Sequence, residues 1–99
     1  MRIISLRTIK KFWENYPEAE PNLRHWHSKV SRSSYQSPQE VISHFKGANY
    51  VGNERIVFNI AWNKYRLVAA FNYEYQVCYL KFVGTHQQYD KIDAKTVEI

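Results

Sequence analysis

A single cysteine, Cys78, stands in this chain of 99 residues. It cannot close an internal disulfide, so a small secreted disulfide scaffold is excluded. Set inside an apolar run, it reads as a small buried hydrophobe rather than a nucleophile. No apolar run approaches the roughly 20 residues of a membrane span. The first residues lack the apolar h-region of a signal peptide. By elimination the expected location is the cytoplasm, and no membrane partner is expected. Also missing are a cysteine cluster, a paired-carboxylate motif, a glycine-rich phosphate loop and a zinc-protease motif. His25 and His27 flank Trp26, and residues two apart on a helix do not face together. Neither a metal nor another cofactor is therefore expected. No internal repeat, low-complexity tract or linker divides the chain, and its length suits one domain over residues 1–99.

What the chain does have is apolar residues, rings and positive charge. The hydrophobic fraction is 44%, enough for a core and far above what disorder requires. Aromatic residues make up 16%, including eight tyrosines and three tryptophans. Most such rings fill a small core, and others can stack on bases or meet a protein partner. The net charge of +5 suits a polyanion or an acidic protein.

Hydrophobic spacing divides the chain into helices and then strands. Met1 to Ser5 reads as a short strand. Thr8 can cap a helix whose apolar face is Ile9, Phe12, Trp13 and Tyr16, at i, i+3, i+4 and i+7. Pro17 ends it. After the acidic turn Glu18-Ala19-Glu20, Pro21 fits the first turn of a second helix with the stripe Leu23, Trp26 and Val30. Ser37-Pro38-Gln39-Glu40 has the pattern of a capping box that opens a short third helix carrying Val41, Ile42 and Phe45, ended by Gly47. From Glu54 the period changes to two. Three strands follow, turning at Trp62-Asn63 and at Glu74-Tyr75, as an antiparallel meander. One helical turn is expected over Tyr89–Asp93. The fold class is α+β, in two layers.

The turns fix an expected register. A two-residue turn at Trp62-Asn63 sets Asn59 opposite Arg66, on one face. A turn at Glu74-Tyr75 sets Arg66 opposite Val83. Thr85 and His86 then reach the same end of the sheet as Lys64. Arg66 is the most telling residue, a charge amid apolar strand neighbours. It either snorkels on a solvated face or clamps a phosphate through two parallel hydrogen bonds. His86 follows a glycine at a strand end, where an imidazole can serve as acid or base. Tyr89 and Lys91 can reach the same pocket if the segment turns.

Phe58-Asn59-Ile60, Asn63-Lys64-Tyr65-Arg66-Leu67 and Val83-Gly84-Thr85-His86 with Tyr89-Asp90 together resemble the HigB toxins of bacterial toxin–antitoxin pairs. The likeness covers roughly residues 37 to 93. It implies a RelE/ParE-like fold, with an N-terminal strand and helices packed on an antiparallel β-meander. It also implies an mRNA interferase, an endoribonuclease that needs no metal. Such enzymes usually act on mRNA at the ribosome and are neutralised by a helix-turn-helix, HigA-like antitoxin. In their reaction the ribose 2′-OH attacks the adjacent phosphate and the 5′-oxygen leaves. By matching positions, the resemblance assigns Arg66 to the phosphate charge and His86 to acid or base work. Tyr89 would donate a proton or stack on a base, and Lys91 would bind RNA or add positive charge. Asn59, Lys64, Lys46 and Lys81 complete the expected RNA contacts. Typical RelE proteins carry arginine where this chain has Thr85-His86, so the division between acid and base stays open. Two alternatives stand beside this reading. One is a ParE-like topoisomerase inhibitor without catalysis, and the other is a basic interaction domain.

Overall fold

The computed structural model of the protein describes residues 1–99. Ile3 and Ile4 lie in strand β1 (Arg2–Ile4). Helix α1 runs over Leu6–Asn15, starting before the expected cap. Ser5, not Thr8, occupies the capping position at φ 80°, and its carbonyl accepts the Thr8 N–H at 3.0 Å. Leu6 packs against the core, which accounts for the earlier start. Pro17 opens a 3₁₀ turn, Pro17–Ala19, that leads into helix α2 (Glu20–Ser31), where Leu23, Trp26 and Val30 are buried. Helix α3 spans Pro38–His44, and the Ser37 side chain accepts the Glu40 N–H. The Glu40 carboxylate reaches back one residue further than a standard box, to the Gln36 N–H at 3.0 Å.

The sheet has five strands in the order β1-β5-β4-β3-β2. It is mixed, not purely antiparallel, because β1 pairs in parallel with β5. A strand the periodicity did not announce, β2 (Asn49–Gly52), forms the far edge. Its four residues, Asn-Tyr-Val-Gly, carry too little alternation to be told from a loop. Strands β3 (Arg55–Ile60), β4 (Tyr65–Asn72) and β5 (Val77–Thr85) form the expected meander. Asn59 lies opposite Arg66 as the turn predicts. Arg66 faces Gly84, however, not Val83. The second turn starts the register as expected, with Asn72 opposite Val77, but the ladder shifts between Val68 and Ala69. Lys81 is the extra residue there, a β-bulge invisible to turn counting. The last helix, α4, covers His86–Tyr89, three residues earlier than expected. Thr85 and Gln88 cap it reciprocally, and this pins its start.

Helices α1, α2 and α3 cover one face of the sheet. Ile9, Leu23, Trp26, Val30 and Val41 there meet Ile56, Phe58, Ile60, Tyr65, Leu67 and Ala69 in one core. Alternation sends Arg55, Val57, Asn59, Arg66 and Val68 to the other face. The C-terminal segment crosses part of that face, held by Arg55. No helix is long and apolar enough to cross a membrane.

Candidate functional site

The site is assembled where the β3–β4 hairpin meets the β5–α4 junction. The two segments are joined by a backbone hydrogen bond, from the His86 N–H to the Lys64 carbonyl at 3.2 Å. Helix α4 begins on that bond, so the hairpin positions the histidine directly.

Two hollows and a patch of the outer face surround this end of the sheet. The first, of about 380 Å³, is walled by Tyr16, Glu18, Lys64, Tyr65, Thr85 and His86. Glu18 is its hub. Its carboxylate pairs with the Lys64 ammonium and accepts the Tyr65 hydroxyl at 2.6 Å. The Lys64 hydrogen bond, with help from Tyr65, holds the Glu18 carboxyl below the usual carboxylate range. Burial and the same carboxylate push the Tyr65 phenol up to about 12, so it stays protonated at neutral pH. His86 is exposed, and its Nδ1 lies 3.2 Å from an Asp90 carboxylate oxygen. That contact orients the ring and leaves Nε2 without a protein partner.

The second part lies round the end of the sheet, on the outer face. Arg66 is half-buried and makes no ion pair. Its Nη1 donates to the Asn63 carbonyl at 2.9 Å and, weakly, to Tyr65 at 3.5 Å. The guanidinium carbon sits 5.8 Å from the Tyr89 ring centroid. Tyr89 itself leans on Phe82, with centroids 6.3 Å apart. Gly84, opposite Arg66, leaves the room for this packing. Nη2 and Nε are left to meet an anion.

The third part, a hollow of about 360 Å³, joins Lys46, Gly47, Asn59, Trp62 and Asn63. The Asn59 amide donates to the Gly47 carbonyl at 3.2 Å, which ties the hairpin to the end of α3.

Six of the eight residues expected from sequence thus gather at one end of the sheet, in three neighbouring groups: Lys64 with His86, Arg66 with Tyr89, and Asn59 with Lys46. Two do not join them. Lys81, the bulge residue, donates to Glu98 at 2.8 Å beside Arg55. Lys91 lies exposed beyond α4, with no side-chain hydrogen bond or ion pair. Glu18 and Tyr65 escaped the sequence reading. Their contact spans 47 positions, and no local spacing encodes it. The one available signal was Glu18 itself, a carboxylate beside a proline in a basic chain. No group of three or more histidine, cysteine or carboxylate side chains converges anywhere to hold a metal ion. What the arrangement offers instead is a free guanidinium, an oriented imidazole and an ammonium held by a carboxylate, around a strand end open to a phosphodiester.

Comparison with known proteins bears on the chain as a whole. The chain is 28% identical over 93 residues to the mRNA interferase toxin HigB of Escherichia coli K12, covering 91% of this chain and 88% of the relative. The mRNA interferases HigB of Escherichia coli O157:H7 and of Shigella flexneri match at the same identity and coverage. The model of the HigB toxin family, described as the RelE-like toxic component of a toxin–antitoxin system, matches residues 19–92, from just after Glu18 to three residues past α4. The chain therefore belongs to the HigB toxin family.

Proposed function

We propose that this toxin is an endoribonuclease that cleaves mRNA without a metal ion. A ribose 2′-hydroxyl attacks the adjacent phosphorus and loses its proton to a base. The 5′-oxygen leaves with a proton from an acid, giving a 2′,3′-cyclic phosphate and a 5′-hydroxyl. Arg66 neutralises the charge that develops on the phosphorane oxygens, the task for which a planar guanidinium is suited. His86 moves one of the two protons through Nε2, with Asp90 holding the ring. Tyr89 backs Arg66 and offers a hydroxyl to the same phosphate. Lys46, Lys64 and Asn59 hold the RNA backbone, and Lys91 adds charge from beyond α4. Lys81 is a weaker candidate, since its amine is already bound to Glu98.

The observation that carries this reading is the unpaired Arg66 next to the α4 that bears His86. A purely structural arginine would be neutralised, as Arg55 is in the same sheet. The partners proposed are mRNA, the ribosome and a HigA-like helix-turn-helix antitoxin, in the cytoplasm. The test is to map new mRNA 5′ ends after brief induction, and to repeat the cleavage with purified toxin on free RNA in excess EDTA. Cleavage in both is expected. Loss of activity in EDTA with recovery on adding metal would overturn the mechanism. DNA damage with intact mRNA would instead favour topoisomerase inhibition.

A further inference from the structure

The β3–β4 hairpin ends in a residue that its turn disfavours and its neighbours do not bury. Trp62 is 99% exposed. It and Asn63 are the central pair of a turn closed by the Lys64 N–H on the Ala61 carbonyl at 3.1 Å. Both have positive φ, 57° and 79°, as a type I′ turn demands. Asparagine and glycine adopt that backbone readily. Tryptophan does not, and Ala61 before it is left-handed as well, at φ 53°. The indole therefore sits on strained backbone and contributes no burial in return, so its purpose lies outside the chain.

The surroundings indicate the kind of ligand. Trp62 is the sole apolar member of its hollow, beside Lys46, Gly47, Asn59 and Asn63. Beside the indole this hollow holds only polar residues and a glycine, whereas a protein-binding hot spot is ringed by apolar contacts that exclude water. A ring, an ammonium and two carboxamides are instead the groups that receive a nucleotide: a stacking face, a phosphate contact and hydrogen bonds for a base edge. The Asn63 carbonyl also anchors Arg66 Nη1, which couples this hollow to the proposed phosphate site.

We propose that Trp62 is a stacking platform for one unpaired base of the RNA substrate, with Lys46 on its phosphate and Asn63 on its edge. This rests on the RNA-cleavage reading above. The test measures binding of a short, fully 2′-O-methylated single-stranded oligonucleotide, which lacks the attacking hydroxyl, to the wild type, Trp62→Gly and Trp62→Phe. Glycine suits the turn, so that variant folds. Trp62→Gly should bind about 5- to 150-fold more weakly, the range for losing one base–aromatic stack, while Trp62→Phe retains most of the affinity. An abasic site at one position of the oligonucleotide should weaken the wild type and leave Trp62→Gly unchanged. Equal binding by wild type and Trp62→Gly, with RNA still cleaved, overturns this inference alone. So does a Trp62→Gly protein that binds RNA normally but escapes its antitoxin, since the indole would then belong to the protein interface. A wild type that neither binds the oligonucleotide nor cleaves RNA overturns the cleavage reading and this inference together.

Discussion

Arg55 and Arg66 share the outer face of the sheet and differ in their partners. Arg55 is 4% exposed and bound by a carboxylate and two carbonyls. Arg66 is half-buried, spends one nitrogen on two carbonyls and has no counter-ion. Removing Arg66 should therefore cost chemistry and little stability. Arg66→Ala is expected to lower single-turnover cleavage on the order of 10² to 10³, the effect of losing one transition-state charge contact, with a near-normal thermal melt. Arg66→Lys should recover only part, because an ammonium keeps the charge and loses the two-pronged geometry. A fully active Arg66→Ala protein would end the assignment. His86→Gln retains a hydrogen-bonding group but cannot carry a proton, and roughly 10² to 10⁴ in rate should be lost. RNA affinity should hold, since phosphate contacts are made by Lys46, Lys64 and Arg66. If His86→Gln cleaves at a near-normal rate, the proton-transfer role passes to Tyr89.

At the scale of elements, α4 is the fragile part. Four residues cannot hold a helix alone, so its geometry depends on the Thr85–Gln88 cap and on the packing of Tyr89 against Phe82. Gly84 protects both. A Cβ there would come within 2.5 Å of Phe82 Cζ and 2.8 Å of Gln88 Oε1. Gly84→Ala should displace the ring that supports Tyr89 and the amide that caps the helix. We expect roughly 1–3 kcal/mol of destabilisation and a fall in cleavage larger than the fall in folded fraction, read from a denaturant titration beside single-turnover rates. An alanine variant with both unchanged would show that α4 is placed some other way. The element scale is also where the sequence was most and least legible. Local signals carried the helical stripes, the Ser37 cap and the Asn59–Arg66 pairing across a two-residue turn. Three features had no local signal: the parallel docking of β1 on β5, the short edge strand β2 and the bulge at Lys81. Each depends on residues far apart in the chain or on one inserted position. The site was legible as an end of the sheet and a set of charges, because strand periodicity and turn position suffice for that. The hub at Glu18 was not, because only the packing of α1 and its following turn brings that carboxylate to Lys64.

Across the whole molecule the sheet is asymmetric, with the core on one face and the other face divided in two. Arg66 and Tyr89 occupy one end of that outer face, and the C-terminal segment is strapped across the other. The strap is tied down by polar contacts: Arg55 donates to the carbonyls of Ala94 and Val97 and to Glu98, Asn53 donates to Lys95, and Lys81 donates to Glu98. Arg55→Ala should free the strap and cost about 2–4 kcal/mol, from lost charge-assisted hydrogen bonds to a buried guanidinium. Limited proteolysis should then remove the tail faster than in the wild type. The strap also makes stability depend on acid. The Lys81 hydrogen bond, then that of Arg55, holds the Glu98 carboxyl below the ordinary glutamate value of about 4.3. A carboxyl lowered on folding stabilises the native state above its unfolded value, and that contribution disappears as pH falls through the lower folded value. Glu18, lowered by Lys64 and Tyr65, acts in the same direction at the other end of the sheet. Each carboxylate is open to solvent, so each effect is small and screened by salt. Thermal melts of wild type and Glu98→Gln should therefore differ most at neutral pH, and the gap should close as the pH falls below about 4. A gap that persists unchanged into acid would mean that Glu98 acts through packing and not through its charge.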